Sequence, residues 1–126
     1  MKHLMDVNLL LAAIWENHSQ HERAFRWLEG KKLAVCPLTE LGFIRISTNP
    51  RVINAPMAKT RVLLKNFLDD RTVERLSDDV PALDSKPQKS EQVTDSYLAT
   101  LADRHGMKLA TLDGNIKHPA VVLVGQ

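Results

Sequence analysis

Five short apolar runs, separated by stretches with helical spacing, constrain this chain more than any other feature. Residues 3–7, 32–36, 73–76, 108–112 and 121–124 have strand length and are rich in Val, Leu and Ala. Between the first two, residues 8–17 carry Leu9, Leu10, Ala13 and Ile14 at helical spacing, with Asn8 as the expected N-cap, and Ser19 is expected to cap a second helix ending at Leu28, near Gly30. Further helices are expected over residues 39–47, over 57–68 with Val62, Leu63 and Phe67 inward, and over 90–105, stopped by Gly106. Strands that alternate with helices require crossover connections, and these build a parallel sheet covered on both faces. The expected fold is a three-layer α/β/α domain with a central, mainly parallel sheet of about five strands.

Length and composition narrow the class. A chain of 126 residues suits one domain, spanning 1–126, and residues 80–90 are too short a polar stretch to divide it. The lone Cys36 excludes an internal disulfide framework. No apolar run reaches the roughly 18 residues that would span a bilayer, and Asp6 interrupts the segment where a signal peptide needs apolar residues. The expectation is a cytoplasmic protein with no membrane partner. The net charge of +2 says little alone. If four of the fifteen acids share one pocket, however, the remaining surface is more basic and suits a polyanion.

Four acids stand where chemistry is done in such a fold. In an open parallel sheet, ligands gather beyond the carboxyl ends of the strands. Asp6 lies near the end of the first strand, Asp113 directly after the fourth, and Glu40 just past the second, in the first turn of its helix; taken singly, Asp6 and Asp113 equally suit a helix cap or a chain turn, and Glu40 a favourable first-turn acid. Asp95 differs. It shares a helix face with Leu98, Ala99 and Ala102, and a carboxylate on an apolar stripe is costly unless a cation compensates it. A set of hard oxygen donors without nearby Cys or His pairs favours Mg²⁺ or Mn²⁺ over zinc. Such ions beside a phosphodiester activate water and stabilise the leaving oxygen, with one ion or with two.

The ordered segments Leu4-Met5-Asp6-Val7-Asn8-Leu9-Leu10-Leu11, Thr39-Glu40-Leu41, Val93-Thr94-Asp95-Ser96-Tyr97-Leu98-Ala99 and Leu109-Ala110-Thr111-Leu112-Asp113 resemble the acidic motifs of PIN-domain nucleases. Within that superfamily the compact length is similar to VapC-type toxins of toxin–antitoxin pairs. The resemblance implies a Mg²⁺- or Mn²⁺-dependent endoribonuclease that cleaves RNA, forms homodimers and is blocked by a cognate antitoxin. It implies that Asp6, Glu40, Asp95 and Asp113 are catalytic metal ligands, and that Asn8 and Thr111 support them through hydrogen bonds. Asn115 falls where some relatives carry another acid, and a neutral amide there weakens a second metal site.

Arg45 breaks the apolar stretch after Glu40; it is expected to face phosphate, to pair with one of the acids, or to form a plain structural salt bridge. Lys59, Arg61 and Lys65 are expected on a solvated helix face, and Asp78 and Asp79 after an edge strand, as solvated acids. Two other classes compete with the nuclease. A catalytically silent PIN-like interaction module is the first. The second is a phospho-receiver-like signalling domain, which would want paired acids after the first strand; Asp6 is followed instead by Val7 and Asn8.

Overall fold

Side chains alternate between the two faces of a strand, and that alternation builds the layers here. In the computed structural model, which describes residues 1–125, β1 (Lys2–Met5), β2 (Lys32–Val35) and β4 (Lys108–Thr111) each carry consecutive buried apolar residues. Leu4, Ala34 and Leu109 enter one core with Tyr97, Leu98, Leu101 and Met107. Met5, Val35 and Ala110, one residue further on, enter a second core with Leu9, Leu10, Leu28, Phe43 and Leu64. The sheet is therefore buried on both sides, as a parallel sheet requires.

All pairings are parallel, and with the edge strands β3 (Glu74–Arg75) and β5 (Val121–Leu123) the spatial order is β3-β2-β1-β4-β5. The architecture is thus the expected three-layer α/β/α sandwich with a five-stranded parallel sheet. Helices α1 (Val7–Ile14), α2 (His21–Leu28), α3 (Pro37–Thr48) and α4 (Met57–Asp70) form a connected layer, and α5 (Val93–Arg104) packs on β1 and β4 from the other side. No described helix is long and apolar enough to cross a membrane.

The helix boundaries correct several expectations. Asp6, not Asn8, is the N-cap of α1, accepting a 2.7 Å hydrogen bond from the Leu9 backbone N–H. The strand passes into the helix without a loop, so the residue at the junction supplies the acceptor. That helix ends at Ile14 rather than at residue 17. Ser19 caps nothing, because α2 starts after Gln20 without a side-chain cap. On α4 the buried residues are Thr60, Leu64 and Leu68, and Val62 is 55% exposed. Because α4 packs chiefly on α3, at the rim of the layer, only a narrow stripe of its apolar surface is covered.

Helix α3 approaches α1 closely at one position. A Cβ on Gly42 would lie 2.6 Å from a γ-methyl of Val7, which follows Asp6 directly. Val is stiff at χ1, so the contact cannot relax by side-chain rotation alone. Gly42→Ala is expected to lower stability by about 1–2 kcal/mol through overpacking. Urea unfolding checks this; an unchanged midpoint would show that α1 and α3 separate freely.

Candidate active site

The crevice between β1 and β4 is where the sheet changes direction of growth: β2 and β3 lie beyond β1, and β5 beyond β4. Ligand sites in open parallel sheets form at such a point. Asp6 follows β1, and its backbone N–H donates to the Ala110 carbonyl at 3.2 Å, which ties it to β4. Thr111, the last residue of β4, donates its hydroxyl to Asp6 Oδ2 and accepts the Asp113 backbone N–H at 3.0 Å. Asp113 Oδ1 in turn accepts the Asn115 backbone N–H at 2.9 Å. A single buried hydroxyl thus links the two strand-end aspartates.

Asp6 is 1% exposed, and burial pushes its carboxyl up to about 6. The bonds from Thr111 and Leu9 hold it down, while the charges of Asp95 and Asp113 push it further up. Asp95, in the first turn of α5, is also raised, first by burial and then by the Asp113 charge. Its helix face is as expected: Leu98, Ala99 and Ala102 are fully buried, and Asp95 stands at the outer end of their stripe, partly buried. Three aspartates thus act on one another at one end of the sheet.

Glu40 lies apart from that group. The charges acting on it are Arg75, 3.9 Å away, and Asp78; burial raises its carboxyl, Arg75 lowers it and Asp78 raises it. Asp95 lines a groove of about 720 Å³ together with Asn8, Arg45 and Thr94, between α3 and α5. Glu40 lines a different, smaller groove, and Ile44 is a wall of both. Arg45 is exposed and takes part in no ion pair among the described residues, so the salt-bridge expectation gives way to a free cation facing the groove. Asn115 is exposed and contributes only its backbone to Asp113.

Arg75 and Asp78 were not legible as neighbours of Glu40. Asp78 is exposed beyond an edge strand, as expected, yet its charge reaches Glu40 and Cys36 because β3 lies beside β2. The only sequence signal was the charged pair Glu74-Arg75 in an otherwise weak strand.

The donor chemistry fits a hard divalent cation. Asp6, Asp95 and Asp113 offer oxygen only, and no Lys or Arg among the described residues acts on the raised carboxyls of Asp6 and Asp95. Among the described residues no three His, Cys, Asp or Glu side chains close into a metal cage. Mg²⁺ does not need one, because it keeps several waters and takes one or two carboxylates.

Comparison with known proteins gives concordant results. A family model described as PIN domain matches residues 4–122. Ribonuclease VapC38 of Mycobacterium tuberculosis is 39% identical over 126 aligned residues, covering 90% of this chain and 86% of that protein. Ribonuclease VapC44 of the same species is 37% identical, covering 96% and 92%. Among solved structures, the crystal structure of VapBC2 from Rickettsia felis, bound to a DNA fragment from their promoter, superposes with a TM-score of 0.65. That match covers 98% of this chain and 97% of the other at 14% identity, a likeness of fold.

Proposed function

The chain belongs to the PIN-domain family as a VapC-type member, and on that premise we propose that it is a Mg²⁺- or Mn²⁺-dependent endoribonuclease, the toxin of a toxin–antitoxin pair. The observation that carries this reading is the buried Asp6, pushed up to about 6 and facing the charges of Asp95 and Asp113. A divalent ion bound there supplies charge to polarise the phosphoryl oxygen and a water of lowered pKa as nucleophile.

The side chains divide the remaining work. Asp6 is the anchored ligand, since the Thr111 hydroxyl and the Leu9 N–H fix both of its oxygens. Asp113 is held by Thr111 and Asn115, and Asp95 approaches from α5 across the crevice. Arg45 and Asn8, in the groove beside Asp95, are suited to hold a phosphate and its ribose in line with the site. Glu40 completes the donor set when its half-buried side chain leaves Arg75, a long contact of 3.9 Å. The neutral, exposed Asn115 favours one tightly held ion over two. The partners proposed with this activity are RNA as substrate, a second copy of the chain, and a cognate antitoxin that covers the site.

The test is cleavage of end-labelled RNA by the purified protein. Cleavage is expected with Mn²⁺ or Mg²⁺, none in EDTA, and Asp95→Asn is expected to lose it. Cleavage that persists in EDTA overturns the mechanism. One observation favours a second reading, the silent interaction module: Glu40 is engaged by Arg75 rather than by the aspartates. Failure of the folded protein to bind Mn²⁺ by calorimetry would establish that alternative.

A further inference from the structure

The smaller groove, about 210 Å³ between α3, α4 and β3, is lined by Arg61, Lys65 and Arg75 over a floor of Ile44, Leu64 and Leu68, with Glu40 at its edge. Three cations against one carboxylate give it a formal excess equal to that of the entire chain, which is +2. The geometry points to this groove as a phosphate-binding subsite that holds the RNA strand flanking the scissile bond. The inference rests on the nuclease reading above.

Four features support it. Glu40, the fourth of the proposed catalytic acids, stands at the edge of this groove, although it lies apart from the three aspartates. Positive charge beside a carboxylate site is what a polyanion needs to approach that site. The cations are also available. Arg61 is in no ion pair among the described residues, and Lys65 meets Asp69 only in an exposed pair one helical turn away. Arg75, itself exposed, meets the half-buried Glu40 at 3.9 Å and the exposed Asp69 at 3.6 Å, both long contacts, so exchange of the Asp69 partner for a phosphate oxygen costs little. Finally, the floor beneath the charges is apolar, built from Ile44, Leu64 and Leu68, so no carboxylate lies under them among the lining residues. The groove shares Ile44 with the larger one that contains Asp95, which places the two depressions on either side of a single ridge of α3.

Lys59 supplies the internal control. It is exposed on the same helix and carries the same charge, but it does not line the groove. The experiment measures binding of a fluorescein-labelled single-stranded RNA to the full chain in the cleavage-deficient Asp6→Asn background. Combining Arg61→Ala with Lys65→Ala is expected to weaken binding about tenfold and to reduce the slope of log K against log salt by about 1.4. Lys59→Ala is expected to change affinity less than about twofold. Both groove residues are exposed, and a thermal melt verifies that the double variant is folded.

Equal effects of the double variant, after allowance for its second charge, and of Lys59→Ala overturn the subsite and leave the nuclease reading intact. If neither the Asp6→Asn parent nor the wild type in EDTA binds RNA, the subsite is overturned, while the nuclease reading stands or falls on the cleavage assay. If the double variant loses binding of polyglutamate while keeping RNA affinity, the groove belongs to an acidic protein segment and the proposal falls.

Discussion

Asp6→Asn is expected to abolish Mn²⁺ binding and to reduce RNA cleavage on the order of a thousandfold, while the folded protein becomes more stable near pH 8. The two effects have one cause. Asn caps a helix as well as Asp does, so α1 keeps its acceptor for the Leu9 N–H. What the variant lacks is a buried charge facing Asp95 and Asp113.

The pH dependence follows from the direction of the shift. The carboxyl of Asp6 is raised from 3.8 to about 6, so between these values the native state holds a proton that the unfolded state has lost. Its contribution to stability is complete below 3.8 and is lost as the pH rises through 6, a difference of roughly 3 kcal/mol. The wild-type melting temperature is therefore expected to fall relative to that of Asp6→Asn between pH 4 and about 6.5. Added Mn²⁺ at pH 8 is expected to restore it in the wild type alone, by about 2.7 kcal/mol at a hundred times Kd. Parallel pH profiles for the two proteins would rule out a buried, strained carboxylate at this position.

Thr111→Val tests the support rather than the ligand. The substitution keeps the shape and removes the hydroxyl that donates to Asp6 and accepts from the Asp113 N–H. Thr111 is fully buried, so water does not replace the lost partner, and a cost of about 1–3 kcal/mol in stability is expected. Because the Thr111 bond is the largest influence holding the Asp6 carboxyl down, its loss pushes that carboxyl further up. Mn²⁺ affinity is expected to fall about 10- to 100-fold, as is usual when a residue that orients a metal ligand is lost. Thr111→Ser, which keeps the hydroxyl, is expected to retain most of that affinity. Calorimetry of Mn²⁺ binding and the pH dependence of cleavage read both changes. If the valine and serine variants behave alike, the hydroxyl does not position Asp6.

How far these features were legible in the chain depends on how local their causes are. The periods of strand and helix are local, so the layered fold and its parallel sheet could be read from Leu4, Ala34, Leu109 and their neighbours. The strand-end position of Asp6 and Asp113 is nearly as local, since a residue just past a strand terminus needs no distant contact to be located there. Asp95 could be found because its stripe, Leu98, Ala99 and Ala102, is written at helical spacing. Asn8 and Asp6 both stand as cap candidates for α1 in the chain, and only the way β1 meets α1, without a loop between Met5 and Val7, decides for Asp6. The inward face of α4 was misjudged at Val62 because the width of its covered stripe is set by α3, not by its own periodicity.

The environment of Glu40 lay beyond such reading. Its acid follows β2 by a short step, but its partner Arg75 comes 35 residues later and is brought near by the pairing of β3 with β2. The same pairing, with the packing of α4 on α3, sets Arg75 in one groove with Arg61 and Lys65. Local spacing thus determined the fold class and nominated the four acids. The tertiary packing decided which of them share a field, because Coulomb interactions follow distance in space and the edge strand sets that distance.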